Sequence, residues 1–530
     1  MSRNTLTGAL IASALAVMAA STQAAGTLKY CSEGSPAGFD PGQLTAGTDF
    51  DASSQPIFNR LVEFERGATN VLPGLAERWE ISPDGLVYTF YLRKGVKFHS
   101  NESFKPSRDF NADDVVFTFE RMGNREHPFR KAYPAEFPFF TSMGLEANVA
   151  KVEAVNPLTV RFTLKNVDAA FIADLAMGFA SIHSAEYADF LLKTGKPAQI
   201  ASAPIGTGPF VLKSYQKDAI IRYAANKDYW NKAETKLDNL IFAITTDSAV
   251  RVQKLKAGEC DIAFQPKPAD LVAIKDDPKL LIKSQAGFNL GYLAFNVTRK
   301  PMDKLEVRQA LDMAINKKAI LEAVYQGTGL AASNPMPPTQ WSYNKNLKDP
   351  AYNPAQAKTL LTKAGVSNME INLWAMPVQR PYNPNAKLMA EMIQADWAKI
   401  GVKANIVSYE WGEYLKRAKK GEVDTGMFGW TGDNGDPDNW LNQLSCDAVG
   451  AGNYAQWCNK GFDELIAKGK RTTDVKKRTE IYMKAQELFK KEMPWSTIAH
   501  SVVSVPMSKR VQDFKISPFG RMSFSGVSVK

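Results

Sequence analysis

From Met369 to Phe428 the apolar residues change period in an ordered way. Met369, Ile371, Leu373 and Ala375 alternate with their neighbours as one face of a strand does. Met389, Ile393, Trp397 and Ile400 then recur at helical spacing, and Gly401 follows as a helix-terminating glycine would. Val402, Ala404 and Ile406 alternate again, Glu410–Lys420 reads as a second helix, and Val423–Phe428 as a third strand. The pattern is βαβαβ, which predicts parallel strands joined by crossover helices. In such sheets ligands gather beyond the carboxyl ends of the strands. Two charged loops open there. Trp374–Asn385 (WAMPVQRPYNPN) carries Arg380 after the first strand, and Gly429–Asn439 (GWTGDNGDPDN) carries Asp433 after the third.

Elsewhere the chain reads as strands and helices with long, turn-rich insertions. Thr27–Tyr30 is a candidate first strand, and Ala76–Leu92 alternates around Pro83-Asp84-Gly85 as an antiparallel hairpin does. Asn111 is placed to cap a helix through Arg121, with Asp113 and Asp114 in its first turn. That acidic pair reads as capping and helix-dipole stabilisation rather than catalysis. Val307, Leu311, Ala314 and Ile315 mark a helix, and Asn316 restarts another through Tyr325. Gly327–Ala332 fits the spacing of a nucleotide-binding G-x-G-x-x-A loop, but its glycines follow a helix instead of a strand, so they read as a C-cap.

The first residues change the picture of compartment. Arg3, the apolar stretch Leu6–Ala20 and the small residues before Ala24 predict a secretory signal peptide, residues 1–24, removed after Ala24. The apolar stretch is short for a bilayer span, which needs roughly 20 residues. Leu28-Lys29-Tyr30 lacks the small residues that lipid attachment at Cys31 would require. A secreted soluble protein is expected, and a remaining chain of about 500 residues is too long for one core. The net charge of +10 is spread along the chain, without the basic stripe that nucleic-acid binding needs. Four cysteines, Cys31, Cys260, Cys446 and Cys458, suggest two disulfides in an oxidising compartment. Sequence alone allows three pairings. The closeness of Cys446 to Cys458 favours a local bond, which leaves Cys31 with Cys260 and builds the first lobe from discontinuous pieces. No C-x-x-C spacing supports a metal, and no metal or cofactor is expected.

Candidate chemistry narrows further. The chain has no G-x-S-x-G elbow, H-E-x-x-H motif or Walker A loop, and its four histidines, His99, His127, His183 and His500, are scattered. No enzyme is expected. Asp433–Asp438 looks like a calcium loop at first sight, but Gly435 and Pro437 fill positions where side-chain oxygens are needed. An arginine fork suits a carboxylate and an aspartate suits an ammonium. A site holding Arg380 and Asp433 at fixed separation would select a short zwitterion, a small peptide with free ends. Asp436 and Asp438 are alternatives to Asp433. Trp374, Tyr382, Trp411, Tyr414, Trp430 and Trp440 near these loops suit core packing, with a side-chain pocket as the alternative.

Several stretches resemble a known family. Gly74–His99 (GLAERWEISPDGLVYTFYLRKGVKFH), Asn111–Val115, Pro204–Phe210 (PIGTGPF) and Val307–Ile320 (VRQALDMAINKKAI) are similar to the peptide-binding solute receptors of bacterial ABC importers. The match spans essentially the whole mature chain, and the two charged loops resemble the dipeptide-binding subgroup, some of whose members accept haem or glutathione. The resemblance implies an α/β, two-lobed periplasmic-binding-protein (venus-flytrap) fold with an extra subdomain in the first lobe. It implies lobe I from 25–286 plus 502–530, with the subdomain at about 58–207, and lobe II from 287–501. It places the ligand's ammonium on Asp433 and its carboxylate on Arg380. Backbone groups near Gly429 and Thr431 would bind the peptide unit, Trp430 and Tyr382 would border side-chain pockets, and Gly47 and Thr48 would supply closing contacts. The same two disulfides are implied. Expected partners are a dipeptide and an inner-membrane ABC permease, with a chemoreceptor as a further candidate; the protein is expected to be a periplasmic monomer outside the bilayer. Glutathione, haem or a longer peptide is the alternative ligand.

Overall fold

The computed structural model describes residues 26–530; the signal peptide expected at 1–24 lies outside them. One strand, Trp495–Ser508, runs through both halves of the molecule. Its first residues pair antiparallel with Asn289–Phe295 and its last with Leu280–Ala286. Those two partners follow each other in the chain, separated by Gly287 and Phe288, so they lie end to end along the long strand. Two antiparallel segments therefore cross from one lobe to the other, side by side. Their junction is tightly bonded. Gly287 N donates to Ser501 O (2.9 Å), Ser501 N donates to Asn289 Oδ1 (2.8 Å), and Asn289 Nδ2 donates to Ser501 Oγ (2.8 Å). A Cβ on Gly287 would stand 2.5 Å from Ser501 O, so the crossing requires glycine there.

In the first lobe Thr27–Ser32 lies parallel between Asn239–Ile244 and Ile262–Ala263, and Cys31 is bonded to Cys260. A separate antiparallel sheet orders Ala76–Ile81, Val87–Leu92, Thr159–Leu164 and Val149–Asn156 side by side, beginning with the hairpin read from alternation. Against it packs the helix Ala112–Gly123, two residues longer than its spacing predicted. Asn111 accepts from Asp113 N, while Asp114 accepts from Asn111 N and pairs with Arg108, so Asp114 closes a capping box and Asp113 lies in the first turn.

The second lobe contains the predicted βαβαβ unit. Glu370–Trp374 lies parallel between Lys403–Val407 and Thr425–Thr431, with helices Ala386–Ala398 and Trp411–Lys419 as the connections. The third strand continues three residues beyond Phe428. Gly429, Trp430 and Thr431 have no apolar alternation; they are held by pairing with Gly291, Leu290 and Asn289. Helix Leu305–Met313 is followed by Lys317–Ile320 and a wide turn to Tyr325; Gln326 and Gly327 then take positive φ (48° and 86°) and feed the strand Gly329–Ala331. No helix opens after those glycines, so they form no dinucleotide loop. Cys446 is bonded to Cys458 in this lobe.

The apolar residues divide with the architecture. One core surrounds Trp397 and Trp440 in the second lobe, one surrounds Phe90 and Phe162 in the separate sheet, and one surrounds Tyr30 and Phe242 in the first lobe. Among the described residues no helix is long and apolar enough to cross a membrane.

Candidate functional site

The loop after Thr431 is shaped by close packing. A Cβ on Gly432 would fall 2.3 Å from the Phe288 ring and 2.8 Å from Trp440, so the chain passes these aromatic rings only as glycine. Asn439 then gathers the loop: its Oδ1 accepts from Asp433 N (3.0 Å) and from the Trp430 indole (3.3 Å). The three carboxylates that sequence could not rank are now distinct. Asp436 forms a bidentate pair with Arg478 (2.8 and 2.9 Å), both side chains being buried. Asp438 lies 3.4 Å from Lys470. Asp433, with a side chain only 9% exposed, has Arg521 as its cation, 3.6 Å away and without a hydrogen bond between them. Burial pushes the Asp433 carboxyl up to about 6, against the pull of Arg521.

Arg380 is presented by a narrow turn in which Arg380 and Asn383 exchange backbone hydrogen bonds (3.1 and 3.0 Å). Its guanidinium lies over the Trp411 ring at 4.9 Å, a cation–π contact, and among the described residues it forms no ion pair. Tyr382 follows. Its carbonyl accepts from Tyr325 (2.8 Å), and its ring lies on Gly429 so closely that a Cβ there would be 2.1 Å away. Gly429→Ala should therefore displace Tyr382 and cost about 1–3 kcal/mol through overpacking; a thermal unfolding midpoint equal to wild type would show that the ring moves freely.

The Tyr382–Gly429 contact is where the two charged loops meet. The anchors themselves face different spaces. Asp433 and Arg521 line a cavity of about 280 Å³ with Phe50, Met177, Trp230 and Phe519. Arg380 lines one of about 80 Å³, with Pro381 and Pro384 on its own side and Gln265 and Pro268 from the first lobe. Gly47 opens the short helix Gly47–Ala52 beside Arg521, since a Cβ on it would be 3.1 Å from the guanidinium. Thr48 contacts the Gly34 position; neither residue lines these two cavities. Trp374, Tyr414 and Trp440 are buried in the core, whereas Trp411 and Trp430 are half-buried.

The Asp433 loop is also pressed against the first lobe. Asn434 donates to Asp174 (2.6 Å), and Lys470 stands 3.4 Å from Asp168 as well as from Asp438. Burial lifts Asp168 to about 6 and raises Asp174 well above the usual carboxylate range. Two carboxyls, Asp168 and Asp438, thus share the Lys470 ammonium where the lobes touch, and Asp174 holds Asn434 beside them. Sequence reasoning missed Arg521 and Asn439. Arg521 has no periodic signal around it, and Asn439 sat among turn-forming residues that concealed its bonding.

A model of the bacterial extracellular solute-binding proteins, family 5, matches residues 70–451. The chain belongs to this family. Di/tripeptide-binding protein 1 of Pseudomonas aeruginosa (strain UCBPP-PA14) is 65% identical, over 97% of this chain and 96% of its own. The Dipeptide-binding protein of Pseudomonas aeruginosa PAO1 is 63% identical, over 96% of each chain. The solved dipeptide binding protein from Pseudoalteromonas sp. SM9913, in complex with Met-Leu, superposes with a TM-score of 0.85 at 38% identity. It covers 95% of this chain and all of its own. The two-lobed α/β architecture is therefore that of a family-5 binding protein.

Proposed function

We propose that this chain is a periplasmic receptor that captures dipeptides by their free ends and delivers them to an inner-membrane ABC permease. Asp433 carries the proposal: a desolvated carboxylate beside a cavity, loosely paired, while its neighbours Asp436 and Asp438 are engaged elsewhere. Asp433 would take the ligand's ammonium and Arg380, which forms no ion pair among the described residues, its carboxylate. Gly429 and Thr431 would offer backbone groups to the peptide unit, with Trp430 and Tyr382 at the side-chain pockets and Gly47 and Thr48 closing from the first lobe. The names of the peptide-binding relatives support this chemistry. No histidine lines the cavity at Asp433; of the other side chains that can ligate haem it holds Met177 and the buried Tyr229.

In this state the anchors, both within 287–501, face separate cavities. We assign the hinge to the paired crossings at Gly287 and Ser501, dividing 25–286 with 502–530 from 287–501, the first portion carrying the inserted subdomain. Rotation there would move the first lobe relative to both anchors, and closure over the peptide would exclude water and strengthen both ion pairs. A monomer suffices for this cycle, and a chemoreceptor is a second partner for the closed form.

Length follows from fixed anchors. An added residue moves the carboxylate by up to about 3.3–3.6 Å in an extended chain, leaving one charge unpaired. Ala-Ala-Ala should bind at least about tenfold more weakly than Ala-Ala, the cost of roughly 1.4 kcal/mol at one end. Because the relatives' names differ over tripeptides, calorimetry with this pair is informative. Equal affinities would overturn the length limit while leaving end-pairing to its own test.

A further inference from the structure

Arg521 is built into the ligand cavity from the returning C-terminal stretch. Gly520 turns the chain at positive φ (66°), Phe519 before it packs on Phe64 and Phe288 (4.5 and 5.7 Å), and Met522 N donates to Asp51 (2.8 Å). Backbone on both sides is thus fixed, and the guanidinium is held over the Phe50 ring at 4.8 Å, beside Gly47. It faces Asp433 at 3.6 Å and lies near the buried carboxyls of Asp49 and Asp51. Asp49 is occupied by the amides of Ala37 and Ala46, and Asp51 by that of Met522.

An arginine placed for structure normally grips its carboxylate through short, charge-assisted bonds of about 2.7–2.9 Å. Among the described residues Arg521 makes no hydrogen bond to Asp433 at all, and its side chain is 22% exposed. Other charges on the cavity wall are better satisfied. Arg60 pairs with Glu63, Arg66 donates to Asp513 O, and Glu234 accepts from Ser525, while Glu65 and Lys515 also line the wall. An incoming ammonium competes with a weakly held guanidinium and leaves that guanidinium free beside the ligand's first residue.

We propose that Arg521 sets side-chain preference at the ligand's first residue: displaced from Asp433 by the ammonium, its fork receives a carboxylate on that residue, favouring Glu or Asp and opposing Lys or Arg. The proposal rests on the dipeptide reading above. A side-chain carboxylate sits only a few bonds from the ammonium that Asp433 holds, so both groups reach the same corner of the cavity. A cationic side chain there meets like charge from Arg521. Since Arg521 belongs to the first lobe and Asp433 to the second, an acidic first residue also ties the closed form together.

The test is competition binding of Glu-Ala, Ala-Ala and Lys-Ala to wild type, Arg521→Met and Arg521→Lys. Wild type should favour Glu-Ala over Lys-Ala by at least about tenfold, from complementary against like charge. Arg521→Met should bring that ratio to within about twofold, whatever it does to the affinity for Ala-Ala itself. Arg521→Lys should retain part of the preference, and Arg521→Gln gives the same readout as Met if the Met variant misfolds. A ratio unchanged by removal of the charge, or no preference in wild type, overturns the proposal. If Ala-Ala binds and Asp433→Asn abolishes that binding, such a result falls on Arg521 alone. If Ala-Ala does not bind wild type, the dipeptide reading fails and this proposal with it.

Discussion

Asp433→Asn is expected to weaken dipeptide binding by about 2–5 kcal/mol, because removing one member of a desolvated charge pair strands the other. The same change should leave the unliganded protein as stable as wild type or more stable. Burial holds the Asp433 carboxyl at about 6, above the value of about 3.9 for an unfolded aspartate. The folded form therefore binds the proton more tightly than the unfolded chain. By linkage this group lowers stability at neutral pH, and the penalty is relieved as pH falls through 6 towards 4. Ligand has the opposite demand, since an ammonium needs the ionised carboxylate. Affinity should thus decline below about pH 6 while the group's effect on unliganded stability improves. Calorimetry and thermal unfolding at pH 5 and pH 7.5 read both trends. A pH-independent affinity, or a marked loss of stability in Asp433→Asn, would make this carboxylate structural.

Asp436→Asn, three positions along, should behave in reverse. Arg478 is buried and donates to Gly469 O and Tyr482 as well as to both Asp436 oxygens. Neutralising Asp436 leaves that guanidinium uncompensated in the core, and breaking a buried pair in this way costs about 3–5 kcal/mol. The urea midpoint should fall with little change in slope. The folded fraction should still bind dipeptide within about threefold of wild type, since a lost binding partner would cost 2–5 kcal/mol instead. An affinity loss as large as that of Asp433→Asn would move the ammonium anchor to Asp436.

These two acids show where sequence stops being informative. Both sit among Asn, Gly and Pro, and what separates them is Arg478 on a distant helix, invisible to local spacing. The capping roles of Asn111 and Asp114 were legible because their partners are the neighbouring backbone amides of Asp113 and Asn111. The βαβαβ unit was legible for a similar reason: burial on one face imposes a period that the side chains must follow. Arg380 and Asp433 could be placed at strand ends by that logic. Gly429–Thr431 could not be assigned to the strand, since pairing with Asn289–Gly291 decides it. The two-lobe strand Trp495–Ser508 is apolar or small nearly throughout, so its period says nothing about which lobe each half serves. Arg521 reached the site through tertiary packing of Phe519 and Met522, which no window around it reveals.

End recognition is tested most directly by capping each end of one dipeptide. Ala-Phe, its N-acetyl form and its C-terminal amide should be titrated into wild type, Asp433→Asn and Arg380→Met by calorimetry. Each cap should cost wild type about 2 kcal/mol or more. The acetyl penalty should vanish in Asp433→Asn and the amide penalty in Arg380→Met, each interaction showing as a coupling in the double-mutant cycle. Capped and free peptides binding wild type equally, or penalties that persist unchanged in the matching variants, would contradict the account.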